Sequence, residues 1–269
     1  MRLNVAVHEK RRFAADGDER HLEAAAFHCG GALDALGDAG GGLRRAACAE
    51  LASTRLFLGT ARRRRLFADG GGERLDTEKL RRDEDAVLAP LRAAVAAAED
   101  LDPAGAGPHR YQLGSFLAAR AASAAAPRGR PDEALAHLAA AISRFDRERR
   151  TAPVSRARDA ARGRALAALD AAALLRSAAF PDPASKLRAL RELLGAEDAL
   201  DDADAPDLAA RVRAALPPAA RDLVAAVSRG GGDDLAAAAR KRCKAAYLAL
   251  MKGDAAAARR ELAPLWDAG

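Results

Sequence analysis

Alanine fills 75 of the 269 positions, and this narrows the folds open to the chain more than any motif does. Ala is the best helix former, gives up no side-chain rotamer freedom on folding and adds little volume to a core. It accounts for about 28 of the 50 percentage points of hydrophobic residues, so only about 22 are larger apolar side chains. A core of this kind depends on backbones approaching one another closely. Aromatic residues make up 4% of the chain and β-branched residues are also scarce, which disfavours strands. The expected fold class is all-α, on a chain long enough to bury a substantial core as one large domain or two small ones.

Gly and Pro interrupt the helical pattern at intervals suited to helix hairpins. Helices are predicted over about Glu19 to Leu36, Leu43 to Phe67, Thr77 to Asp100, Pro108 to Ala125, Pro131 to Arg149, Ser155 to Ala178 and Pro183 to Leu194. Four more follow over Pro206 to Leu216, Pro218 to Ser228, Asp233 to Lys252 and Asp254 to Trp266. Loops fall near 37–42, 68–76, 102–108, 126–131 and 229–233, and residues 1–18 are expected to be poorly ordered. Pro90, inside an otherwise helical stretch, should kink or divide that helix. Pro131 followed by Asp132 and Glu133 is a favourable helix start, since acids there complement the helix dipole.

Small residues recur with the spacing of tetratricopeptide (TPR) hairpins, in which a small side chain on each helix lets the pair cross closely. Gly114 and Ala134 fit the two roles, with Leu138 and Ala141 following, and the extra length between them falls in "SAAAPRGRP". In "KAAYLALMKGDAAAARRELAPLW", Ala246 and Ala258 lie twelve apart, Gly253 and Asp254 form the turn, and Leu262 and Leu265 take the large positions. "EAAAFHCGGALDALG" places Ala25, Cys29, Ala32 and Leu33 equivalently, and "AELASTRLFLGTA" with "DEDAVLAPLRAAVAAAED" gives a looser copy. The reading is a TPR-like α-solenoid of antiparallel helical hairpins, a single array over residues 1–269.

Few residues suggest chemistry. His21, His28, Cys29 and Cys48 match no recurring zinc spacing, and Cys29 falls at a hairpin core position. His8, His109 and His137 are isolated and read as surface or helix-end histidines. The Gly triplets lack the Gly-Lys-Ser/Thr ending of a phosphate loop, and acidic groups such as Asp83 with Asp85, or Asp201, Asp202 and Asp204, sit at helix starts or in loops. No catalytic, cofactor or metal site is expected. Cys29, Cys48 and Cys243 form no disulfide pattern, which suits a reducing compartment, and no apolar run is long enough to cross a bilayer.

Net charge is +6, with 38 arginines against six lysines, a bias expected from a GC-rich coding sequence. The excess suits an acidic partner. Arg62, Arg63, Arg64 and Arg65 form a basic run that reads either as a helix-terminal cation cluster or as a nuclear-import patch. With Ala246 as the close-packing position, Arg240, Cys243, Tyr247 and Leu250 would face a concave groove, Lys244 lies one turn from Arg240, and Tyr111, Ser115 and Ala118 are the middle hairpin's counterparts. Tyr111 and Tyr247 read equally well as core residues. Such a groove binds extended acidic or apolar peptides.

The order of segments carries a resemblance. "ALDALG" is followed by "ELASTRLFLGTA", "EKLRRDEDAVLAPLRAAVAAAEDLD", "HRYQLGSFLAARA", "EALAHLAAAISRF", "ALAALDAAALL" and "SKLRALRELL". Over residues 20–200 this resembles the TPR region of the erythroid differentiation-related factor family. The resemblance implies a nuclear protein that regulates transcription through protein contacts. The family's large N-terminal region has no counterpart here, which leads to the expectation of a fragment, and Ala-rich replacements blur the TPR consensus. The expected function is a non-enzymatic protein-interaction scaffold in the nucleus, with the cytoplasm as the alternative location. The alternative function is a basic helical module that binds nucleic acid, although the chain lacks the interleaved aromatics that stack on bases.

Overall fold

Helix boundaries fall where local chemistry can satisfy free backbone groups. In the computed structural model, which describes residues 1–37, 41–69, 77–101, 106–121, 130–201, 203–229 and 234–266, Asp182 shows this most plainly. Its carboxylate accepts from the backbone N–H of Ser185 at 2.7 Å and Pro183 follows as the first helical residue, opening the helix Pro183–Leu200. The described residues form eleven α-helices and no strand, so the fold is all-α. Parts of every expected loop lie outside the described residues, as do the side chains of Arg65 and of 67–69, 77–81 and 234–236.

Two compact units make up the chain, Met1–Phe116 and Leu117–Gly269, where the sequence suggested one array. The first contains α1 (Arg2–Asp16), α2 (Glu19–Leu36), α3 (Gly41–Asp69), α4 (Thr77–Leu101) and most of α5 (Gly107–Ala121). The second contains α6 (Pro131–Thr151), α7 (Val154–Arg176), α8 (Pro183–Leu200), α9 (Pro206–Arg229), α10 (Asp234–Met251) and α11 (Ala255–Trp266). From α1 to α4 and from α6 to α11, each helix packs on its neighbour in sequence, the contact order expected of stacked hairpins.

The expectation of poor order over residues 1–18 is corrected by α1. Its Ala6 is buried with Ala25, Cys29 and Leu51, and Leu3 packs beside them. Polar ties supply what the small apolar face lacks. Lys10 Nζ pairs with Glu50 at 2.8 Å, Arg2 donates to the Gly31 carbonyl at 2.8 Å, and His21 lies between Glu9 at 2.6 Å and Asp16 at 3.1 Å. The hydrogen bond to His21 holds the Glu9 carboxyl below the usual carboxylate range. Charges that look merely solvated in the sequence thus bind α1 down.

Close approach governs both units. A Cβ on Gly59 of α3 would stand 2.6 Å from the Leu91 side chain of α4, and one on Gly163 of α7 would meet the Phe145 ring of α6 at 2.6 Å. Along α7, Ala160, Ala161, Ala165, Ala167, Ala168, Ala171 and Ala172 are all buried. Ala246 and Ala258 share one buried cluster with Leu262, as their spacing implies, and Leu265 packs against it. Between α10 and α11, Gly253 adopts φ 78°, its N–H donates to the Leu250 carbonyl, and that of Asp254 reaches back to the Ala249 carbonyl, both at 3.0 Å. This is a Schellman ending, and it explains the glycine. Gly114 is buried in the first unit and Ala134 in the second.

Prolines lie inside the helices α4 and α9. Pro90 is buried within an undivided α4, and α9 runs unbroken through Pro217 and Pro218, where two helices were expected. Leu216, Ala219, Ala220 and Leu223 are all buried there, so packing on both sides of the pair offsets the hydrogen bonds that proline cannot donate.

Burial also sets the chemistry of Cys29 in the first unit. Desolvation pushes its thiol from an ordinary 9.0 up to about 11. The folded state therefore holds this proton more tightly than the unfolded state. The associated stability is complete below pH 9 and is lost as pH rises through about 11, a loss of about 3 kcal/mol at most. Urea unfolding between pH 8 and pH 11 should show a shallower alkaline loss in Cys29→Ala than in the parent chain.

Candidate functional site

The structure separates the residues expected to form one groove. Tyr111 and Ser115 lie on α5 in the first unit, whereas Arg240, Lys244 and Tyr247 lie on α10 in the second. Ser115 is buried, and its hydroxyl accepts from Arg63 Nη2 at 3.2 Å, which corrects its assignment to an open groove. Ala118 is likewise buried. Cys243 and Leu250 sit inside the apolar cluster of the second unit together with Ala246, whose helix face they share at i−3 and i+4. Lys244 is exposed, Arg240 is half-buried, and Tyr247 packs against the cluster edge.

The basic run at the end of α3 acts mainly within the first unit. Arg62 donates to the Ala86 carbonyl at 3.1 Å, pairs with Glu19 at 3.4 Å and contacts Glu23, tying α3 to α2 and α4. Arg63 is committed to Ser115, Arg64 is exposed, and the Arg65 side chain lies outside the described residues. Two of the four arginines proposed as an import patch therefore serve packing. His109 sits in the first turn of α5, where burial pushes its pKa below the ordinary value. Among the described residues, no group of three or more His, Cys, Asp or Glu is placed to hold a metal.

A different constellation emerges in the second unit. A cavity of about 530 Å³ is walled by Ile142, Asp146 and Arg150 of α6, Arg164 of α7, Arg188, Arg191 and Asp198 of α8, and Arg259 with Trp266 of α11. Its floor is set by Arg164, a 7% exposed arginine. Nε of Arg164 donates to Asp146 at 2.9 Å, Nη1 donates to the Glu192 carbonyl oxygen at 3.1 Å, and the Glu192 carboxylate lies 3.7 Å from Nη2. Gly195 makes room for this guanidinium, since a Cβ there would collide with Nη2.

Charge matching in the cavity is incomplete. Asp146 and Glu192 are engaged by Arg164, while Arg259 pairs with Asp198 at 2.7 Å and with Glu197 at 3.3 Å. Arg150, Arg188 and Arg191 have no carboxylate partner among the described residues; Arg150 Nε donates to the Asp146 backbone carbonyl at 3.0 Å. All three are exposed at the cavity wall. Arg191 lies 5.9 Å from the centroid of the Trp266 ring, within cation–π range. Two further donors, Arg259 Nε and Trp266 Nε1, are buried without a hydrogen-bond partner. The arrangement is suited to receiving anionic oxygen acceptors. Each acid lining it, Asp146, Glu192 and Asp198, lies against an arginine.

The site is hard to see in the sequence because the many arginines read as coding bias. "SKLRALRELL" carries the signal: Arg188 and Arg191 are three residues apart and so share a face of α8. The sole Trp of the chain is a second signal. The chain matches no family model, no curated protein and no solved structure.

Proposed function

We propose that this chain is a non-enzymatic, TPR-like interaction scaffold whose second unit holds an acidic segment of a partner protein in the arginine-lined cavity. The observation that carries the reading is the trio Arg150, Arg188 and Arg191, which line one cavity without a carboxylate partner among the described residues. The net charge of +6 favours encounter with an acidic partner. The resemblance to the erythroid differentiation-related factor family extends this reading to a nuclear role in transcriptional regulation, with exposed Lys244 and half-buried Tyr247 of α10 as additional contact residues.

Trp266, the only indole in the chain, lines the cavity and serves as the reporter. A glutamate-rich peptide of about twelve residues, long enough for an extended anchor segment, should shift its fluorescence saturably. Arg188→Glu with Arg191→Glu should weaken binding by more than tenfold while leaving helicity unchanged. No saturable shift, or equal binding by the double variant, would refute the assignment. Tight binding of duplex DNA with a steep salt dependence, and none of peptide, would favour the nucleic-acid reading instead.

A further inference from the structure

We infer that the trio Arg150, Arg188 and Arg191 recognises a phosphate monoester, carried on a phosphorylated side chain of the acidic segment; this rests on the function proposed above. The charge inventory argues for it. Five arginines line the cavity, and the two with acidic partners, Arg164 and Arg259, are matched by Asp146, Glu192 and Asp198 from the same wall. Three guanidinium groups remain. One carboxylate can occupy the fork of only one guanidinium and brings a single negative charge. A phosphate monoester brings nearly two charges and three acceptor oxygens to one point.

Geometry favours the same choice. Arg188 and Arg191 stand one turn apart on a single helix face, and Arg150 reaches the cavity from α6. Carboxylates on an extended segment alternate between opposite sides of its backbone, so successive residues cannot all face that cluster. A tetrahedral group at a single position can. The Trp266 ring beside Arg191 limits where that guanidinium can point, and Arg259 Nε and Trp266 Nε1 supply additional N–H donors within the wall. Arg150 is partly oriented as well, through its bond to the Asp146 carbonyl.

The experiment compares three versions of one acidic peptide, with Ser, Asp or phosphoserine at the central position, titrated into the full chain and followed by Trp266 fluorescence and calorimetry. The phosphoserine peptide should bind about tenfold more tightly than the Asp peptide, as expected for a doubly charged group among several guanidiniums. In Arg188→Gln with Arg191→Gln that preference should fall below about twofold, with an unchanged melting profile to show that both exposed positions are dispensable for folding. Equal affinity of the Asp and phosphoserine peptides would overturn this inference and leave the acidic-segment reading standing. Failure of all three to bind would overturn both. Binding of inorganic phosphate as tight as that of the phosphopeptide would overturn the peptide as the source of the group.

Discussion

Lys186→Met is expected to lower the unfolding free energy of the second unit by about 4 kcal/mol, seen as a melting temperature about 10 °C lower. Lys186 is only 5% exposed, and its ammonium donates to the carbonyls of Leu175 at 2.8 Å, Ser177 at 3.1 Å and Phe180 at 2.5 Å. These carbonyls belong to the end of α7 and the turn that leads into α8, where the helix leaves acceptors without partners. One point charge with three donors satisfies all of them. Methionine fills a similar volume but donates nothing, so all three carbonyls lose this donor together, the Ser177 carbonyl keeping the Phe180 N–H at 3.4 Å. Arginine should not restore stability, because its planar fork cannot radiate to three carbonyls grouped around one nitrogen. Burial pushes this amine below its ordinary pKa despite the nearby Asp222 and Asp182 carboxylates. The folded state therefore releases the proton at lower pH than the unfolded state, and the contribution of this group to stability grows as pH rises between the two values. Lys186→Met should remove that rise, which alkaline unfolding curves would detect. A loss below about 1 kcal/mol would contradict the capping role.

Arg164→Met should be about as damaging, at about 3 to 5 kcal/mol, and in addition should disturb the cavity. Removing the guanidinium leaves Asp146 and Glu192 without their shared partner beneath three further arginines, and leaves the Glu192 carbonyl without its donor. The freed carboxylates would then face Arg150, Arg188 and Arg191, which line the same cavity. Any affinity for an acidic peptide should fall along with stability. Asp146→Asn with Arg164→Met should recover part of the stability, since it removes one of the two stranded charges. Urea unfolding of the single and double variants measures both effects.

How far these features can be read from sequence depends on the range of the interactions. The hairpin of α10 and α11 is local, and its small residues, glycine turn and large positions all stand where spacing puts them, with Ala246, Ala258 and Leu262 buried together. Helix α1 could not be read in this way, because Lys10, Glu9 and Arg2 find partners on α2 and α3 that spacing along one helix does not reveal. The cavity was hidden for a related reason. Arg188 and Glu192 are four residues apart and look like an intrahelical ion pair, yet Glu192 is engaged by Arg164 of α7, and among the described residues no carboxylate pairs with Arg188. Cys243 and Leu250, expected to face a groove, instead share a buried cluster with Ala246 and with Leu216, Ala219, Ala220 and Leu223 of α9, a packing that spacing along one helix does not reveal. The continuity of α9 through Pro217 and Pro218 is likewise a tertiary effect overriding a local preference.

Helices that meet through alanine are smooth rods, and a smooth rod can slide or turn against its neighbour at little energetic cost. In the second unit two notches prevent this: the Phe145 ring seats over Gly163, and the Arg164 guanidinium seats over Gly195. Each works as a key in a keyway, and because Gly163 and Arg164 are adjacent on α7, α6 and α8 are indexed to the same turn of one helix. Shifting either rod by one residue would drive a side chain into a ring or a cation, so alignment in this alanine-rich stack is fixed at places where even alanine is too large.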